Sequence, residues 1–159
     1  MTDRIPMTRA GYEKLRAELR RLEEVEEPQL VERIARARSE GDLSENAEYH
    51  GARESHGLLM AKIRDLKAQL SMAEIIDTST VPRDQVGFGA RVVVKDLDLG
   101  DAETFTLVGA GEEDYDNGKI LVTSPLAQGL LGAKEGQEVE IKVPAGILRL
   151  RILKIEYDT

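Results

Sequence analysis

Residues 1–77 predict an antiparallel α-helical coiled-coil hairpin, and residues 78–159 predict a smaller α+β globular domain. Three observations carry this α + (α+β) reading. Apolar residues recur at three- and four-residue spacing from about Met7 to Ile76. A short polar stretch, SEGDLSE, separates two such stripes, as a turn between antiparallel helices would. After DTSTVPRDQ the apolar period falls to two.

The first arm opens at Thr8, a candidate N-cap preceded by Pro6. Tyr12, Leu15, Leu19 and Leu22 then form a narrow stripe suited to one partner helix. The stripe resumes at Leu30, Ile34 and Ala37, so it slips by one residue across the segment holding Pro28. A kink or short break is expected there, because proline lacks an N–H and crowds the preceding turn. On the return arm Leu59, Ile63, Leu66, Leu70 and Ala73 alternate four and three apart, a heptad seam that extends backwards through His56, Ala52, Tyr49 and Glu45. Arms of about 30 residues at ~1.5 Å each span roughly 45 Å. Such a rod has little core, yet it can reach into a narrow space.

In the second half RVVVKDLD, ETFTLVGA, KILVTS, QEVEIKV and ILRLRILKIEY read as strands, parted by Gly-rich or acidic turns. One short helix is expected within SPLAQGLLGAKEG, with Ser124 at N-cap, Pro125 at N1 and Gly132 past its end.

Composition narrows the function classes. Hydrophobic residues are 41% and charged residues 33%, the balance of a folded, soluble chain. The formal charge of −8 disfavours independent binding to nucleic acid. Aromatics are only 4%, too few for an aromatic-lined pocket or for stacking platforms along a single strand. With no cysteine, disulfides, thiolate metal sites and cysteine nucleophiles are absent together. The opening MTDRIPMTRAG lacks the apolar run of a signal peptide and no stretch reads as a membrane span, so a cytoplasmic location is the expectation.

The bend is the chemically suggestive stretch, since Asp42, Glu45 and Glu48 crowd into it. Asp42-Leu43-Ser44-Glu45 fits a capping box, with Asp42 at N-cap and Glu45 at N3, and acids suit the positive end of a helix dipole. Alternatively, Asp42 and Glu45 supply oxygens to a hard divalent cation. Mg²⁺ takes one or two protein carboxylates and completes its shell elsewhere. Two carboxylates would not retain it alone, though they could complete a site that a partner mostly provides. Glu48, one turn beyond Glu45, reads better as solvated or arginine-paired. His50 and His56 lack the partners a histidine metal site needs, and His56 is expected to pack in the seam.

The runs ARSEGDLSENAEYHGARE and IPMTRAGYEKLRAEL, with LSMAEIID and SPLAQGLLG further on, closely resemble the Gre transcript-cleavage factors of bacterial RNA polymerase, along essentially the whole chain. That resemblance implies a monomeric elongation factor, not an enzyme in its own right. Its coiled coil would enter the polymerase's secondary channel, where backtracking has extruded the RNA 3′ end. By family analogy, Asp42 and Glu45 would help hold the second catalytic Mg²⁺ of the polymerase, and Arg38 and Arg53 would lie near the RNA. Arg33 and Arg36 are read either as RNA-facing or as paired with neighbouring glutamates.

For residues 78–159 the family implies an FKBP-like domain that grips the channel rim, with Ser124 and Pro125 in the grip. An isomerase role for that domain would require an aromatic pocket from Phe88, Phe105, Tyr115 and Tyr157, which are scattered in sequence. A second functional reading is a channel-binding inhibitor without cleavage stimulation. Inhibitors of this lineage depart from GDLSEN, and this sequence keeps it.

Overall fold

The computed structural model describes residues 4–41 and 45–157. Thr8 starts the first helix as its spacing predicts: the hydroxyl accepts the Gly11 backbone N–H at 3.0 Å, and α1 runs Arg9–Arg21. The seam slip that follows is not a break. It is one π-helical turn, Leu22–Glu26, which passes directly into α2, Glu27–Ser39, with Pro28 in the first turn of α2. Leu22 and Leu30 are eight residues apart where a heptad allows seven, and the wider turn absorbs the extra residue. Both stripes therefore stay on the inner face.

The return arm is a single helix, α3, Ala47–Ser71. Its Leu59, Ile63 and Leu66 are buried in one cluster with Leu22 of the first arm, and Leu15, Leu19, Leu30 and Leu70 pack against it. Nearer the bend the buried positions are Ala37 and Ala52, small residues that permit close helix approach. Ion pairs also cross between the arms, Lys67 with Glu23 at 3.2 Å and Arg33 with Glu48 at 2.7 Å. Such exposed pairs typically contribute ~0.2–1 kcal/mol, so the apolar seam holds the hairpin.

The chain forms two compact units, one holding Tyr12–Ala73, the other Ile5–Gly11 together with the chain from Glu74. The opening residues join the second unit because β1, Ile5–Met7, pairs with β2, Ala73–Ile75. Met7 is fully buried, and its carbonyl accepts the Ile76 N–H at 2.8 Å. Gly109 lies so near that an added Cβ would stand 2.8 Å from the Pro6 carbonyl oxygen and 2.9 Å from the Met7 Cα. Both neighbours are backbone and cannot swing away. Gly109→Ala is therefore expected to destabilise this unit by ~1–3 kcal/mol, readable as a lower thermal midpoint.

The rest of the second unit is one five-stranded sheet: β3, Arg91–Asp96; β4, Ala102–Val108; β5, Lys119–Leu121; β6, Glu138–Val143; and β7, Gly146–Glu156. Strand order is β5-β4-β3-β7-β6, antiparallel throughout except for the parallel β4–β5 pair. A bulge interrupts β3–β7: Val93 faces Lys154 and Val94 faces Ile152, leaving Leu153 over and exposed. The core gathers Val92, Val94, Leu107, Leu130, Ile141, Leu150 and Ile152. Helix α4, Pro125–Leu130, covers this face, and Gly129 lets it sit close to Ile141. No helix of the described residues is long and apolar enough to cross a membrane.

Candidate functional site

Asn46, not Asp42, caps the return helix. Its backbone is extended, with φ −90° and ψ 95°, and its side-chain oxygen accepts the Tyr49 N–H at 3.0 Å. The capping-box expectation is thereby corrected, since Glu45 precedes the helix and does not stand at N3. The physical reason is that asparagine is at least as good a cap as aspartate, and here it does a second job aspartate could not. Its amide nitrogen donates to the Ala37 carbonyl at 2.6 Å, satisfying an acceptor in the last turn of α2. That carbonyl also receives the Glu40 N–H at 3.3 Å.

Glu45 is exposed just ahead of this cap, and no lysine or arginine of the described residues pairs with it. Asp42 lies outside the described residues, as do Leu43 and Ser44. Glu48 is engaged otherwise: the Arg33 guanidinium Nε donates to it at 2.7 Å from the opposite arm, matching the arginine-paired reading. Of the two acids described at the bend, Glu45 is the one with its carboxylate uncommitted. Carboxylate oxygens of this kind suit Mg²⁺ as donors. Among the described residues no group of three or more acids or histidines stands together as a metal site.

Arginines surround the tip in different states. Arg36 pairs with Glu32 at 3.0 Å along its own helix, and Arg33 is held by Glu48. Arg53 lies 5.7 Å from the centre of the Tyr49 ring, close enough for a cation–π contact. Arg38 is exposed, with no ion-pair partner among the described residues. Arg38 and Arg53 each follow a buried seam alanine, Ala37 and Ala52, which anchors them on opposite arms. His56 packs toward the seam, as expected: its Nε2 is buried without a hydrogen bond, 4.0 Å from a Glu27 carboxylate oxygen.

In the globular unit Ser124 caps α4, its hydroxyl accepting the Ala127 N–H at 3.3 Å, and Pro125 stands in the first turn. Pro125 is exposed and Ser124 half-buried. The four aromatics of this half do not converge. Phe88 and Tyr157 line a cleft of about 290 Å³ with Arg91, Lys119 and threonine hydroxyls. Phe105 lines a separate hollow, and Tyr115 is exposed. The Tyr157 hydroxyl donates to the Gln85 carbonyl at 2.6 Å, and burial pushes its phenol above the usual range.

The helical hairpin and the α+β unit each correspond to one domain of a two-domain class of transcription elongation factors. Both match. Residues 5–75 fit the model described as transcription elongation factor, N-terminal, and residues 81–157 fit transcription elongation factor, GreA/GreB, C-terminal. The chain belongs to the GreA/GreB transcription elongation factor family. A protein of Thermodesulfovibrio yellowstonii named transcription elongation factor GreA is 48% identical over 158 residues, covering 99% of this chain and 100% of that one. Its namesake in Psychrobacter sp. is 46% identical, covering 98% and 99%. Among solved structures, GreA factor homolog 1 (Gfh1) of Thermus thermophilus is 24% identical with a TM-score of 0.47, over 97% of this chain and 99% of that one. The GreA/GreB factor of Nitrosomonas europaea is 22% identical with a TM-score of 0.43, over 98% and 100%.

Proposed function

We propose that this elongation factor stimulates cleavage of backtracked RNA by bacterial RNA polymerase, acting as a catalytic cofactor and not as an enzyme alone. The observation that carries the reading is Glu45, an exposed and uncommitted carboxylate at the bend of a narrow two-helix probe. The hairpin enters the secondary channel with its bend first. Glu45, and Asp42 three positions before it, would present oxygen ligands to a Mg²⁺ shared with the polymerase. When bound, that metal would supply metal-assisted hydrolysis of an internal RNA phosphodiester. Arg38 and Arg53 face the phosphates of the extruded RNA 3′ end, where opposite charge orients the strand. Glu48 stays paired with Arg33 across the arms and is not a ligand.

The globular unit holds the channel rim through the α4 region, with Ser124 and Pro125. Ser124→Ala removes a helix cap that typically contributes ~0.5–2 kcal/mol. It is expected to weaken polymerase binding, with cleavage recovering at high factor concentration. A cleavage defect that persisted at saturation would place α4 in catalysis instead.

The deciding experiment adds the purified protein to backtracked complexes and resolves the RNA products over time. Faster release of 3′ fragments supports the proposal. Binding without faster cleavage would make the protein a channel inhibitor.

A further inference from the structure

We infer that Asn46 is a positioning residue: it fixes where the Glu45 carboxylate is presented, by clipping the ends of both arms together with one side chain. This rests on the reading of Glu45 as a metal ligand and goes beyond it. The two ends of the Asn46 amide are assigned without ambiguity, because one meets a donor and the other an acceptor. The oxygen takes the Tyr49 N–H at 3.0 Å, which starts α3, and the nitrogen donates to the Ala37 carbonyl at 2.6 Å, which lies in the last turn of α2. Asn46 is half-buried, while Glu45 beside it is exposed.

The apolar seam alone would leave this end loosely specified. From Ala37 and Ala52 toward the bend, no large side chain of the described residues is buried, and the nearest cross-arm ion pair among them, Arg33 with Glu48, is exposed. Exposed ion pairs hold geometry weakly. A hydrogen bond at 2.6 Å from a capping residue is directional, and it acts one peptide away from Glu45. A ligand offset of about 1 Å can cost on the order of 10²-fold in rate, so such a clip has a function beyond helix stability.

Serine and aspartate separate the two roles. Asn46→Ser keeps an N-cap oxygen but cannot reach Ala37. Asn46→Asp keeps the shape and the cap, yet sets an oxygen against the Ala37 carbonyl. It also adds negative charge, which would ease Mg²⁺ binding, so any higher Mg²⁺ requirement in that variant comes from the lost donor.

The first measurement is backbone ¹⁵N relaxation in the free protein. Both variants are expected to lower the order parameter at Glu45 while thermal melting and polymerase affinity stay near wild type. The second is the Mg²⁺ dependence of stimulated cleavage, where the half-maximal Mg²⁺ concentration is expected to rise several-fold. Should Asn46→Ser lose helix content, Asn46→Asp decides alone. Unchanged order parameter and unchanged Mg²⁺ dependence, with Glu45→Gln still defective, would overturn the positioning role and spare the ligand role. A fully active Glu45→Gln would remove both.

Discussion

Glu45→Gln is expected to lower stimulated transcript cleavage by at least 10- to 100-fold at low Mg²⁺, while polymerase binding changes little. The magnitude follows from a comparison. Losing a residue that merely supports a metal ligand typically costs about 10–100-fold, and a direct ligand should cost no less. Glutamine keeps the size and one oxygen but removes the charge, which is the property a weakly held divalent cation depends on. Binding is spared because Glu45 is exposed and no cation of the described residues is paired with it, so the hairpin loses no internal contact. Partial recovery at high Mg²⁺ is part of the expectation, since mass action can restore occupancy. Quantifying 3′ fragments across a Mg²⁺ series, with polymerase affinity measured in parallel, provides the check. Cleavage equal to wild type throughout the series would dismiss the ligand role.

Leu22→Ala is expected to lower the stability of the hairpin by about 2–5 kcal/mol, the range for deleting a buried leucine without full collapse of the cavity. Leu22 is completely buried and belongs to the cluster of Leu59, Ile63 and Leu66. It is also the first residue of the π-turn, so it sits where the seam changes phase. Few other side chains can compensate, because a two-helix core is one layer deep. Far-UV circular dichroism melts would show the loss of helix at lower temperature. Cleavage should fall with it, because a bend on melted arms presents no fixed ligand. An exposed position offers the control: Val31→Ala, at 51% exposure, should move the midpoint little.

Much of the hairpin was readable from residue spacing. Thr8 caps, the heptads from Leu59 to Leu70 face inward, and the one-residue slip before Leu30 shows in the spacing itself. How the slip resolves was not visible, because spacing reports a phase change without saying whether the chain breaks, kinks or widens a turn. A second slip went unread. In ILRLRILKIEY the inward set is Leu148, Leu150 and Ile152, then Ile155 and Tyr157; the adjacent apolar pair Ile152-Leu153 was the signal for the bulge. The strand β1 was missed because three residues, one of them proline, carry no period.

At the bend the motif GDLSEN pointed to a helix start but to the wrong capping residue. Asp42-to-Glu45 fits the capping pattern as well as Asn46-to-Tyr49 fits a cap, and local preference cannot rank them. Tertiary packing does: at position 46 one side chain caps α3 and also reaches the Ala37 carbonyl on the other arm. In the same way Glu48 reads from sequence as solvated or arginine-paired, and its partner Arg33 lies 15 positions away, a distance that helical neighbour rules do not cover.

Sequence by itself determined the two halves, their helical and strand periods and the acidic character of the bend. It could do so because periodicity and capping are local properties, set by residues within a few positions of each other. Tertiary structure alone decided the strand order β5-β4-β3-β7-β6, the membership of Ile5–Gly11 in the globular unit, and the pairing of Glu48 with Arg33. Those outcomes depend on partners distant in the chain, and the free energy that selects among them arises only when the surfaces meet.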